Sequence, residues 1–329
     1  MTTLTWAVVA TEDDPARAEW TRAAQDANVA APRFVTWSAV VNSEAEFQPG
    51  EVVFAERLYP CLAESPVGGQ RVRYLELQTA LSQLEAALAK AGAASATSAE
   101  PALLALDRTR CAEFLRENGV PVLDASDVSS VGGNILRPRY AGSDDWMIDG
   151  WHTRLFRHRT RTAGFEVWRG LGQVSGDKRE LADLVALLAD DGIHAVESLH
   201  RVHLGNYFHD FRLAVVGGKV THAAGVKREG EFPREWYGGR RQEIDRFLER
   251  FGIERWERVV ALAERTATFF PGIRSLGVEL VMDNHTSEYV FDVNPFGAYL
   301  PGLIGAPPNA ERENMTVRDA VLRSLSAGS

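Results

Sequence analysis

The sequence predicts a small α/β lobe followed by a larger α+β region. Three observations lead there. Over residues 1–90, short apolar runs alternate with stretches of helical spacing, the pattern of strands and helices around a parallel sheet. Residues 91–100, AGAASATSAE, are small and polar and read as a flexible linker. Beyond them the apolar runs are short and separated by turn residues, with helices inserted among them.

In chain order, Thr5–Ala10 is an apolar run, Asp14–Ala27 has helical spacing, and Arg33–Trp37 and Val52–Ala55 read as strands. Over Val72–Ala89, residues Val72, Leu75, Leu81, Leu84 and Leu88 line one helical face. Asp107–Asn118 reads as a helix with Asp107 as N-cap and Gly119 beyond its end. Asn134–Pro138, Thr153–Arg157 and Phe165–Arg169 are short strands, and Asp177–Ala189 is a helix. Ala195–Leu199, His209–Val216, Lys219–Ala224, Gly277–Met282 and Tyr289–Val293 form a strand-rich block. Gly217-Gly218 between apolar runs marks a hairpin. Helices are expected at Arg241–Phe251, Arg255–Phe269 and Val317–Ser326. The expected divisions are 1–100, 101–194 and 195–329.

The bulk numbers exclude several classes. The chain has 329 residues, 45% hydrophobic and 25% charged, enough for two or three lobes with cores. Its net charge of −9 argues against a nucleic-acid partner. Two cysteines, Cys61 and Cys111, without a Cys-x-x-Cys, argue against a disulfide framework or a cysteine zinc site and fit a reducing, cytoplasmic compartment. The opening MTTLTWAVVATEDD reads as a buried strand, not a signal peptide. No run approaches the roughly 18 uncharged apolar residues that cross a bilayer, so no membrane partner is expected.

Residues 277–302, GVELVMDNHTSEYVFDVNPFGAYLPG, carry the densest chemistry. Glu279 lies on one strand, and Asp292 and Asn294 lie two apart near the end of the next. A hairpin would set all three oxygen-bearing side chains on one face, which suits Mg²⁺. Spacing alone leaves a second reading open, in which Asp292 and Asn294 cap the loop of Pro295, Gly297 and Pro301-Gly302.

The pattern Gly-Val-Glu-Leu, followed by Asp-x-Asn-Pro and a glycine-bearing loop, resembles the metal-binding end of ATP-grasp enzymes. Upstream, LDRTRCAEFLRENGVPVL, ILRPRYAGS, AVESL and DFRLAVVGGKVTHAAGVKREGEF follow in that family's order, and the last is similar to the branch of peptide-modifying glutamate ligases. The resemblance spans roughly residues 106–325. It implies a two-subdomain ATP-grasp fold with nucleotide between the lobes, behind a smaller N-terminal lobe.

By that resemblance Glu279, Asp292 and Asn294 bind magnesium, two ions with Mn²⁺ as a substitute. Arg108 and Arg137 stand where many members carry phosphate-binding lysines. Glu197, Ser198 and Leu199 present the hinge to adenine, Asp210 meets the ribose, and Lys227 lies on the return strand among the ATP contacts. Arg212 and Arg234 take the catalytic role of stabilising the transferred phosphoryl group. Trp236, Arg240 and Tyr299 contact the substrate. The implied activity joins a carboxylate, on a small molecule or peptide, to an amine or thiol through an acyl phosphate. A small-molecule kinase and a non-catalytic nucleotide-binding protein are the alternatives, and a homodimer stays open. The two Lys-to-Arg departures keep the charge but replace a point ammonium with a planar fork.

Other clusters carry less. Arg154, Arg157, His158, Arg159 and Arg161 read as a solvated strand end, with a clamp for phosphate or acidic substrate as the functional alternative. His194, His200, His203 and His209 fit no zinc spacing and read as surface or core histidines. The glycine pairs form neither a G-x-G-x-x-G fingerprint nor a Walker loop.

Overall fold

The computed structural model describes residues 5–57, 69–126, 134–140, 148–149, 154–155, 160–162, 165–167, 186, 189–197, 203–204, 207–229, 241–283, 287–298 and 315–326. The N-terminal lobe holds β1 (Trp6–Ala10), α1 (Ala16–Asp26), β2 (Arg33–Thr36), α2 (Trp37–Val41), β3 (Val52–Ala55), α3 (Gln70–Ala91) and β4 (Ala94–Ser95). Its sheet runs β2-β1-β3-β4 with parallel pairs throughout. Every residue of β1 is buried, as expected of the central strand of a sheet covered on both faces.

Three sequence expectations are corrected here. Trp37 does not extend β2: Thr36 caps α2 by accepting a hydrogen bond from Ala39 N, and the chain turns helical. The expected linker is structured. Ala94 N donates to Glu51 O and Ala96 N to Val53 O, so β4 pairs with the open edge of β3. Ala96 and Thr97 are buried. Small side chains here permit close packing, which composition cannot distinguish from flexibility. On α3, Leu81, Leu84 and Leu88 are buried, but Val72 and Leu75 are 58% and 49% exposed.

The second part begins with α4 (Ala99–Leu106) and α5 (Arg108–Glu117). Then come β5 (Asn134–Pro138), β6 (Ile148–Asp149), β7 (Arg154–Leu155), β8 (Thr160–Thr162), β9 (Phe165–Val167) and β10 (Ile193–Glu197). An antiparallel sheet runs β10-β5-β6-β7, and β8-β9 form a separate hairpin. Apart from residues 186 and 189, the helix expected over 177–189 lies outside the described residues, as does most of the basic cluster at 154–161.

The third part holds β11 (His203–Leu204), β12 (Tyr207–Val216), β13 (Lys219–Glu229), α6 (Arg241–Ala267, broken at Gly252), β14 (Ser275–Met282), β15 (Glu288–Asn294) and α7 (Val317–Ser326). Strands β12 to β15 are antiparallel, with β14 between β12 and β15 and β13 on the other side of β12. Gly217 and Gly218 have φ of 58° and 79°, the two positive values that a tight two-residue hairpin needs.

One face of this sheet packs Phe211, Leu213, Val278 and Leu280 against Phe247 and Trp256 of α6. On the other face, Ala214, Val216 and Ala224 share a core with Trp6 and Trp20 of the N-terminal lobe and with Val321 and Leu322 of α7. Residues 120–126 tie the last two sheets together. Val122 bridges Val290 in β15, and Ala125 bridges Val196 in β10. The Arg137 side chain of β5 also reaches β15, donating to Phe291 O.

Candidate active site

A row of charged side chains crosses the third sheet. Arg212 on β12 pairs in register with Glu279 on β14, which pairs with Asp292 on β15. Arg212 Nη2 lies 2.6 Å from Glu279 Oε1. Asn294 stands opposite Gly277. Alternation along the strands sends Val278, Leu280 and Val293 into the core beneath α6 and leaves Glu279, Asp292 and Asn294 on the opposite face. A bulge between Glu279 and Leu280 leaves Phe291 without a register partner beside Asp292.

Two arginines reach this row from other elements. Asp107 caps α5 by accepting from Arg110 N at 3.2 Å, and its carboxylate takes both arms of the Arg139 guanidinium at 2.8 Å. Arg108, the first residue of α5, is thereby set against β5. Its backbone N donates to Arg139 O, its Nη1 to Pro138 O at 2.8 Å, and its Nη2 to Asp292 Oδ2 at 3.0 Å. Arg137 on β5 donates from Nη2 to the same Oδ2 at 2.7 Å and from Nη1 to Phe291 O at 3.2 Å. Its guanidinium lies 4.1 Å from the centre of the Phe291 ring.

The arginine side chains are 3% and 4% exposed and Asp292 is 13% exposed, so these charges meet largely out of water. Burial alone would raise the Asp292 pKa. The fields of Arg108 and then Arg137, with hydrogen bonds from both, outweigh it and hold the carboxyl well below the usual range. His194 stands opposite Arg137 on β10. Burial first, then the two arginines, push it down to about 3, so it is neutral. Burial, Asp292 and Asp107 push the Cys111 thiol up, which keeps it protonated and inert. A small cleft beside Asp292, lined in part by Arg108, His194 and Phe291, offers about 20 Å³, room for roughly one water.

The structure therefore brings together Arg108, Arg137, Arg212, Glu279, Asp292 and Asn294. Asp210 is buried two residues before Arg212 on the same face of β12. Glu197 ends β10, its backbone N donating to Asp124 O, and Lys227 pairs with His209 across β12 and β13. Ser198, Leu199, Arg234, Trp236, Arg240 and Tyr299 lie outside the described residues. Sequence reasoning missed Arg139 and Phe291. Arg139 directly follows β5, two residues after Arg137, a spacing that strand alternation would set on one face and a legible signal. The bulge at Phe291 has no local signature.

Glu279, Asp292 and Asn294 offer two carboxylates and an amide oxygen, hard donors that suit magnesium. Asn294 Oδ1 accepts only Phe296 N among the contacts described, at 3.1 Å, and keeps a lone pair. By donor chemistry the residues fit the ion. Among the described residues no three His, Cys, Asp or Glu side chains group around one point, so ligation would draw on Asn294 and on oxygens from outside the protein. No described helix is long and apolar enough to cross a membrane.

No protein-family model matches the sequence, and no curated protein matches it. Solved structures do. The ATP-grasp ligase PsnB, complexed with a phosphomimetic variant of its minimal precursor, Mg and ADP, aligns at a TM-score of 0.55 and 15% identity, covering 99% of this chain and 98% of PsnB. The D-cycloserine synthetase DcsG aligns at 0.58 and 14%, covering 98% and 99%. D-alanine–D-alanine ligase from Bacillus anthracis, complexed with ATP, aligns at 0.52 and 12%, covering 99% and 98%. With the likeness running from end to end in each pair, this chain has the fold of the ATP-grasp ligases.

Proposed function

We propose that this chain is an ATP- and magnesium-dependent, ADP-forming ligase that joins a carboxylate to an amine through an acyl phosphate. The observation that carries the reading is the row Arg212–Glu279–Asp292 facing Arg108 from α5 and Arg137 from β5 of the neighbouring sheet. Oxygen donors for a divalent cation and guanidiniums for phosphate meet there on the fold that PsnB, DcsG and D-alanine–D-alanine ligase share.

Carboxylates do not react with amines at neutral pH because the oxyanion leaves poorly. Transfer of the γ-phosphoryl of ATP creates a good leaving group, and the protein's task is positioning and charge neutralisation. Glu279, Asp292 and Asn294 would hold two magnesium ions, which would supply neutralisation of the phosphate charge. Arg108 and Arg137 grip phosphate oxygens with planar forks. Arg212 and Arg234 stabilise charge on the phosphoryl group in flight. Glu197, Ser198 and Leu199 meet adenine, Asp210 the ribose, and Lys227 the nucleotide. Trp236, Arg240 and Tyr299 shape the acceptor site. The PsnB complex with a precursor favours a peptide as the carboxylate substrate. The two-cysteine composition supports work in the cytoplasm.

The test is ADP release across acid and amine pairs, peptides included. Release that requires both acid and amine supports the ligase; a stable phosphorylated product without an amine would make the protein a kinase. Asp292→Ala is expected to abolish turnover, and unchanged turnover rejects the metal assignment.

A further inference from the structure

The groups assigned to magnesium and those assigned to phosphate touch one another. Asp292 Oδ2 accepts from Arg108 Nη2 and Arg137 Nη2 at 3.0 and 2.7 Å, while Oδ1 accepts from Val293 N at 3.1 Å. Both guanidiniums are pinned by their other nitrogens, Arg108 on Pro138 O and Arg137 on Phe291 O, and Arg137 also rests on the Phe291 ring. The space between them is thus a built seat for one anionic oxygen. A guanidinium fork binds carboxylate and phosphate oxygens alike.

Resting on the ligase reading above, we propose that Asp292 is an exchangeable occupant of this seat: its carboxylate holds the place of a nucleotide phosphate and turns to magnesium only as the phosphate arrives. Either ligand alone breaks buried contacts that it does not replace. Magnesium alone would draw the carboxylate from two guanidiniums that are 3% and 4% exposed, at the loss of a charge-assisted hydrogen bond to each. A polyphosphate alone would push a carboxylate that is 13% exposed off its cations and against new negative charge. Glu279, opposite Asp292 on β14, is already engaged by Arg212 and offers no relief. When both arrive, phosphate takes the guanidiniums, the cation takes the carboxylate, and every charge ends with an opposite partner. The ligand class of the seat is therefore a magnesium–polyphosphate complex. Cation and anion are coupled, and by linkage each raises the affinity for the other by the same factor.

Calorimetric titration of the full chain tests this with three probes: MgCl₂ alone, ATP in EDTA, and Mg·ATP. In the wild type, Mg·ATP is expected to bind about a hundredfold more tightly than ATP in EDTA, with no binding of MgCl₂ alone. Two variants make opposite predictions of gained binding, which unfolding cannot imitate. Asp292→Asn empties the seat of charge, and ATP in EDTA should bind about tenfold more tightly than to the wild type. Arg137→Gln loosens the hold on Asp292, and MgCl₂ alone should now bind. Wild-type binding of MgCl₂ alone, or no gain in either variant, overturns the exchange while Mg·ATP binding keeps the ligase reading. Failure of Mg·ATP to bind the wild type removes both.

Discussion

Asp292 stays ionised against its own burial, and that sets how the protein responds to acid. Its folded pKa is depressed, so its contribution is fully present above the unfolded value of about 3.9 and is lost as pH falls through the folded pKa. His194 acts at higher pH. It is neutral in the fold, pushed down to about 3, whereas an unfolded histidine titrates near about 6.5. Stability from its neutrality is complete above about pH 6.5 and drains as pH falls toward the folded value. Urea unfolding between about pH 7 and pH 4 should lose stability with a slope approaching about 1.4 kcal/mol per pH unit from this one proton. His194→Gln should flatten that portion, and an unchanged slope would remove His194 as its source. Helical spacing and strand alternation fixed neither effect, because one depends on arginines brought in from α5 and β5 and the other first on burial and then on those arginines.

At the scale of elements, helical phase decides which apolar residues of α3 are buried. At about 100° per residue, Leu77, Ala80, Leu81, Leu84 and Leu88 face the core of the β1–β3 sheet, whereas Val72 and Leu75 fall on the other side of the helix. The first turns extend toward the second sheet, where Asp191 accepts from Gly69 N and Tyr74 stacks on Tyr140 at 4.4 Å. Leu84→Ala should cost about 2–5 kcal/mol in chemical denaturation, and Leu75→Ser within about 0.5 kcal/mol. The β14 strand makes the reverse case, a position where nothing can be added. A Cβ at Gly277 would lie 2.9 Å from Ala298 N and 3.0 Å from the Gly297 carbonyl carbon, both backbone atoms. Gly277→Ala should destabilise by about 1–3 kcal/mol and weaken Mg·ATP binding, because the chain it displaces follows directly from Asn294. The strand itself was legible from apolar alternation; the crossing of the loop above it was not.

Across the whole molecule, the N-terminal lobe is joined to the last helix by a buried ionic contact. Arg318 of α7 lies 2.6 Å from Glu56 at the end of β3 and 4.5 Å above the Trp20 ring, while Trp20 Nε1 donates to Glu56 at 2.6 Å. Burial pushes the Glu56 pKa up, and Arg318 offsets this only in part. Arg318→Leu should therefore leave a carboxylate buried without its cation, at a cost of about 3–5 kcal/mol. Tryptophan fluorescence should report this as a lower midpoint for the lobe containing Trp6 and Trp20. A change below about 1 kcal/mol would mean that solvent reaches Glu56. The core shared by β1, α1, α7 and one face of β12 explains why the lobe boundary near residue 100 is not a break in packing. Composition marked that stretch as loose, and the open edge of β3 drew it into a sheet.

By itself, the sequence determined what local periodicity and chemistry can specify: the strand runs, the Gly-Gly hairpin, the Asp107 cap, and the shared face of Asp292 and Asn294. These depend on neighbours a few residues away. The tertiary structure alone decided that Arg108 and Arg137, 184 and 155 residues from Asp292 along the chain, both close on its carboxylate. A charge takes its partner from the elements that pack around it, and no spacing along the chain encodes which those will be.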